Sequence, residues 1–102
     1  IAFLAKEVDL DAQAIKDLAF ELGKNRDDLF VVLGSAKDDK PILSCYISKK
    51  LVKGKSMDAG NIVRELGKFI QGGGGGQPFF ATAGGKNSAG IPQALKAAED
   101  LI

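Results

Sequence analysis

The chain has 102 residues, and its 14 Lys plus Arg against 13 Asp plus Glu give a formal net charge of +1. The absence of His excludes a His general base, a Ser-His-Asp triad and a His-containing zinc site, and a single Cys excludes an internal disulfide and a thiolate cluster. The length predicts a single domain over residues 1–102, and a chain that does not begin with Met is expected to be a fragment of a longer polypeptide.

The N-terminal segment predicts a strand followed by a helix. A short, mostly apolar run over residues 1–8 indicates a strand. Apolar residues then recur at helical spacing over residues 12–22. Asp11 precedes this stretch and is the expected N-cap, because its carboxylate can accept hydrogen bonds from the first helical turn.

The next segment predicts a β-hairpin. Residues 29–33 form a continuous β-favouring run, which is typical of a strand covered on both faces. The turn residues 37–41 lead into a second strand over residues 42–48. The alternation of a strand places three side chains on the same face: Leu43, Cys45 and Ile47.

The second half predicts two further helices separated by a strand. A helix opens at Ser56 or Asp58 and ends at the glycine run of residues 72–76. Its expected apolar stripe consists of Ile62, Val63, Leu66, Phe69 and Ile70. The remaining predicted elements are a strand over 78–83, a polar loop over 84–88 and a terminal helix over 91–102. The order β-α-β-β-α-β-α indicates an α/β fold in which helices pack on a mixed sheet, with a Gly-rich loop after the second helix.

The glycine run admits two interpretations. An isolated glycine tract is usually a flexible linker. Here only residues 77–102 follow it, too few for an independent second core, so it is expected to lie within one domain. Glycine also lets a backbone approach a ligand closely, and successive amides can form an anion site. The residues expected to contribute to such a site are Gly72, Gly73, Gly74, Gly75, Gly76 and Gln77, with Lys86, Asn87 and Ser88 from the second loop.

A lysine cluster supplies the local positive charge that the net charge hides. Residues 40–55 contain five Lys and no acidic residue. Such a run is often only a solvated surface. It can equally neutralise the phosphates of a nucleic acid, with affinity that falls as salt rises. The candidate phosphate contacts are Lys49, Lys50, Lys53 and Lys55.

Two other features have mainly structural interpretations. Cys45 lies in a predicted strand and is expected to be a small core residue, because free Cys is among the most buried residue types. Phe79 and Phe80 are expected to face the core or an interface, although adjacent strand residues point to opposite faces and one ring could instead meet a nucleobase.

The chain resembles a known family over nearly its whole length, most specifically in its second half. The glycine run followed by Gln77-Pro78, the Ala81-Thr82-Ala83-Gly84-Gly85 segment, the polar loop and the terminal amphipathic helix are similar to the C-terminal domain of alanyl-tRNA synthetase. This DHH-associated domain is shared with DHH-type phosphoesterases, and the upstream elements fit the same layout. The chain departs from the family at Gln77, where many synthetases have Arg, and at Phe79-Phe80, where the family often has an acidic or Met-containing pair.

The resemblance implies a non-catalytic role. In the synthetases this domain binds the outer corner of the tRNA, where the D and T loops meet, and supports aminoacylation and editing by other domains. The implied partners are tRNA-Ala, the other domains of the synthetase and, in some members, a second copy in a homodimer. Catalytic and metal-binding residues are not expected here, since ATP and zinc would belong to other domains. A cytoplasmic protein without membrane contact is expected.

Two alternative functions remain open at the level of sequence. The same glycine run could hold a nucleotide in the substrate-binding lobe of a DHH-type phosphoesterase. The domain could also serve oligomerisation, with Phe79, Phe80 and the terminal helix at the interface.

Overall fold

The computed structural model of the chain describes residues 2–55 and 57–100, with Lys55 described by its backbone alone. Three predicted features therefore lie outside the described residues. They are the boundary at Ile1, the alternative helix cap Ser56 and the helical end at residues 101–102.

Four α-helices and five β-strands make up the described chain. The strands are β1 (Ala2–Glu7), β2 (Leu29–Ser35), β3 (Ile42–Ile47), β4 (Gly73–Gly76) and β5 (Phe80–Gly84). The helices are α1 (Ala12–Gly23), α2 (Lys49–Lys55), α3 (Ala59–Gly67) and α4 (Ile91–Glu99). Short 3₁₀ turns occupy Lys37–Asp39, Lys68–Ile70 and Ser88–Gly90. In the described part of the chain, no helix is long and apolar enough to cross a membrane.

The strands form a mixed five-stranded sheet in the order β1-β2-β3-β5-β4. β1 and β2 are parallel and joined by α1, whereas the other neighbouring pairs are antiparallel. The predicted hairpin is confirmed, with Val32 opposite Cys45 in the β2–β3 ladder. β2 is buried along its whole length, as its continuous apolar sequence indicated.

Helix α1 covers one face of the sheet. Asp11 caps it as predicted, with its Oδ1 accepting from the Ala14 amide at 2.8 Å. Its buried residues Ile15 and Ala19 pack on Val31 and Leu33 of β2. The helical spacing of the apolar residues is what presents this stripe to the sheet.

Helices α3 and α4 cover the opposite face. Asp58 caps α3, and its Oδ1 accepts from the Asn61 amide at 3.2 Å. Cys45 is one of the buried residues of the core on this face. Burial, together with the nearby charge of Asp58, raises the pKa of the Cys45 thiol above its usual range. The remaining core residues on this face include Phe30, Leu43, Ile47, Val63, Leu66, Ile70 and Ile91. The predicted shared face of Leu43, Cys45 and Ile47 is thereby confirmed.

The structure corrects the sequence prediction at three places. The lysine-rich segment after β3, for which no element was predicted, is helix α2, and the glycine run contains strand β4 rather than forming a loop. The observed order is thus β-α-β-β-α-α-β-β-α. Phe69, predicted in the apolar stripe, is 38 % exposed because the helix tightens into a 3₁₀ turn at Lys68–Ile70 and changes the direction of its side chains.

Candidate nucleic-acid interface

Strand β4 forms one edge of the sheet and consists only of glycine. It pairs with β5 alone, with Gly75 opposite Thr82. The two strands are joined by the three residues 77–79, and the Gln77 amide donates to the Phe80 carbonyl at 2.9 Å across this turn. The run that suggested a flexible tether is therefore an ordered part of a β-hairpin.

Glycine is required at alternate positions of β4 because this strand lies against the backbone of β5. A β-carbon on Gly74 would collide with the Thr82 carbonyl oxygen and stand 2.5 Å from the Ala83 Cα. Gly76 has a φ of 155°, and a β-carbon there would stand 2.8 Å from the Ala81 Cα. A β-carbon on Gly73 would meet nothing within 4 Å.

The outer edge of β4 presents backbone polar groups without side chains. Hydrogen-bonded and non-bonded pairs alternate along an antiparallel ladder. Because Gln77 bonds to Phe80, the bonded pairs are Gly75–Thr82 and Gly73–Gly84. The amide and carbonyl of Gly74 then point away from β5. Because glycine has no side chain, an anion or a flat molecule can approach these backbone groups closely.

Arg64 places a guanidinium beside this glycine edge, and sequence reasoning did not identify it. Its Nη2 lies 3.4 Å from the position of a β-carbon on Gly75, and its Nη1 donates to the Asn61 Oδ1 at 2.9 Å. Arg64, Asn61 and Lys68 line a shallow groove of about 260 Å³ together with Glu65. The spacing of four between Arg64 and Lys68 was the available signal, since such residues share one helix face.

Helix α2 brings part of the lysine cluster to the tip of the β4–β5 hairpin. Lys49, Lys50 and Lys53 are exposed on this helix. The Lys49 Nζ lies 5.9 Å from the centroid of the Phe79 ring, within the range of a cation–π contact. The side chain of Lys55 lies outside the described part of the structure. Of the sequence-predicted lysines, Lys49 thus lies at the tip of the hairpin that the glycine run forms with β5.

The second predicted loop lies at the opposite end of β4, where Gly84 pairs with Gly73. Its backbone donors are already used, because the amides of Lys86 and Asn87 both donate to the Ile70 carbonyl at 2.8 Å. The Asn87 side chain donates to the Phe69 carbonyl. The Ser88 hydroxyl donates to the Asp39 carboxylate at 3.0 Å. Lys86 is exposed and is the loop residue best placed to meet an anion.

Within residues 2–55 and 57–100, no group of three or more Cys, Asp or Glu side chains is arranged to hold a metal ion. The arrangement at the β4 edge combines free backbone groups, a guanidinium and several ammonium groups. Such a set of donors can bind phosphate oxygens.

Comparisons with known proteins agree on one family. A family model described as the DHHA1 domain matches residues 1–102. The alanine–tRNA ligase of Christiangramia forsetii is 66 % identical over all 102 residues, and that of Flavobacterium psychrophilum is 48 % identical over the same length. The chain spans only 12 % of each of these relatives. The crystal structure of the C-Ala domain from Aquifex aeolicus alanyl-tRNA synthetase superposes with a TM-score of 0.81 at 28 % identity, covering 97 % of this chain and 86 % of that one.

Proposed function

Because the chain belongs to the DHHA1 domain family, we propose that it is a non-catalytic tRNA-binding module of an alanyl-tRNA synthetase. In this proposal it binds the outer corner of tRNA-Ala, where the D and T loops meet, and so supports aminoacylation and editing by other domains. The similarity of the whole chain to segments of alanine–tRNA ligases favours this role over that of a phosphoesterase lobe.

The observation that carries the proposal is the glycine edge of β4 with cations at its side and tip. The backbone of Gly74 faces outward with no side chain in front of it, Arg64 stands beside Gly75, and Lys49 stands at the hairpin tip. RNA corners are recognised mainly by shape, backbone contacts and stacking. A smooth edge flanked by cations fits a folded RNA backbone.

Titration of the chain with tRNA-Ala tests this function. We expect saturable binding at about 50 mM salt and a marked loss of affinity at about 200 mM, because phosphate contacts release counterions. Fluorescence anisotropy of labelled tRNA measures both values. The control is a blunt RNA duplex of matched length, which lacks the corner and is expected to bind more weakly. Absence of tRNA binding at low salt would reject the proposal.

Replacing Arg64 tests whether the groove beside the glycine edge belongs to the interface. We expect Arg64→Gln to weaken tRNA binding about tenfold and to reduce the slope of log affinity against log salt by about 1, as for the loss of one phosphate contact. Lys96→Gln on α4 removes another exposed cation, one near the opposite, β1 edge of the sheet, where it lines a groove with Phe3 and Leu4. Equal losses of tRNA affinity in the two variants would show that binding depends only on the net charge of the chain and not on the position of Arg64.

A further inference from the structure

An exposed aromatic cluster lies on the α1 face of the sheet and is not used by the glycine edge. It consists of Phe20 on α1, Tyr46 on β3 and Phe80 on β5. The Phe20 ring centroid lies 5.2 Å from that of Phe80 and 5.4 Å from that of Tyr46, the latter edge-to-face. Tyr46 and Phe80 pack against the core beneath α1, but Phe20 lies outside that core and is 37 % exposed. The cluster therefore presents aromatic surface to solvent.

A single lysine stands over two of these rings. The Lys16 Nζ lies 6.0 Å from the Phe20 centroid and 5.9 Å from the Phe80 centroid. Among the described side chains, no carboxylate lies within ion-pair distance of Lys16. The ammonium group thus keeps its capacity to bind an external anion while it lies beside an aromatic surface.

This chemistry fits a nucleotide better than an apolar protein surface. A nucleotide carries a flat π-face for the rings and, one sugar away, a phosphate for the ammonium. An apolar partner that covered the rings would instead bury the Lys16 ammonium without a counterion, which is costly. Stacking on aromatic side chains is also how proteins hold the unstacked bases of single-stranded and looped RNA.

The aromatic cluster is continuous with the interface described above. Phe80 begins β5 directly after the hairpin tip, and the preceding residue, Phe79, lies under Lys49. The tip therefore has a lysine over a phenylalanine at each of two successive positions. An RNA strand bound along β4 could thereby pass the hairpin tip and reach the α1 face of the sheet.

We propose that Phe20, Phe80 and Lys16 form a stacking site for one unpaired nucleobase, with Lys16 holding its phosphate. This inference rests on the RNA-binding function proposed above and assigns it a contact outside the glycine edge. It predicts a preference for single-stranded or looped RNA over a duplex, whose bases are already stacked on each other.

A tryptophan reporter tests the stacking directly. The chain contains no Trp, so Phe20→Trp introduces a unique indole at the site. We expect single-stranded oligoadenylate to quench its emission saturably and a blunt RNA duplex of equal length to quench it much less. Leu4→Trp is the matched control, because Leu4 is also 37 % exposed but lies on β1 at the other edge of the sheet. Its emission is expected to stay unchanged.

A second variant measures the contribution to affinity. We expect Phe20→Leu, which keeps an apolar side chain but removes the ring, to weaken oligoadenylate binding about tenfold, within the range known for base–aromatic stacking. Unchanged affinity in this variant, or unquenched emission from Phe20→Trp while labelled oligoadenylate still binds, would overturn the stacking site and leave the RNA-binding function intact. Failure of the unaltered chain to bind either oligoadenylate or tRNA would reject both.

Discussion

The Gly74→Ala variant is expected to lose about 3 kcal/mol of free energy of unfolding, the upper end of the usual cost of forcing a group into a filled space. The added methyl group would collide with the Thr82 carbonyl and crowd Ala83 on the neighbouring strand. These atoms belong to the backbone of β5, which cannot rotate away as a side chain can. Relief therefore requires β4 to separate from β5. Urea denaturation followed by circular dichroism measures the change.

Gly73→Ala is the matched control for this prediction. The two residues are neighbours in the same strand, yet a β-carbon on Gly73 meets no atom within 4 Å. Its effect is expected to stay within about 0.5 kcal/mol, as for most surface substitutions. Equal free energies of unfolding in the two variants would contradict the close approach of the Gly74 backbone to β5.

Reversing two charges on α2 is expected to weaken tRNA binding at least about 30-fold at low salt, since each reversal removes an attraction and adds a repulsion. The variant is Lys49→Glu with Lys53→Glu, and the two lysines share one face of the helix at a spacing of four. Lys49 is also the cation at the hairpin tip. Anisotropy titration at several salt concentrations measures the affinity and its salt dependence.

The control for charge reversal is Lys6→Glu with Lys96→Glu, which changes the net charge equally. Both lysines are exposed, one on β1 and the other on α4, and both lie away from the hairpin. We expect less than about a threefold loss of affinity, since screening weakens charges beyond roughly 8–10 Å. In the α2 variant, the glutamate at position 49 lies at the start of the helix and complements its dipole. The free energy of unfolding of that variant is therefore not expected to fall. An equal loss of binding in both double variants would contradict a local role for α2.

The central elements of the fold were predictable because each has a complete local pattern. The stripe of α1 with its Asp11 cap and the continuous apolar run of β2 both predict their structures without tertiary information. The hairpin to β3 follows from its turn residues. In each case the sequence period matches the period of the element, and the boundary carries its own signal.

The elements that sequence reasoning missed lack such patterns. Helix α2 has only seven residues, hardly long enough for a helical period to repeat, and Leu51 is its one buried hydrophobic residue. Glycine disfavours strands, so the strand character of β4 arises from its pairing with β5 and its packing on α3. Neither partner can be identified from the glycine run itself.

The candidate site was likewise only partly accessible from sequence. The glycines and lysines were selected as candidate binding residues because their chemistry is evident from residue type alone, and their contacts with RNA stay a prediction. Arg64 was missed because only the packing of α3 against β4 brings it beside Gly75. The side chains of Asn87 and Ser88 were chosen as free donors, whereas the fold uses them to hold Phe69 and Asp39.

The all-glycine composition of β4 also determines how this edge moves. Glycine loses more backbone entropy on ordering than any other residue, and β4 contributes no side chain to the core. The core residues Phe30 and Leu43 lie on β2 and β3, which β5 separates from β4. We therefore expect its opening to cost much less free energy than global unfolding, and amide hydrogens there to exchange with solvent ahead of those in β2. The edge can deform to follow the contour of a bound molecule while the remaining four strands keep their register.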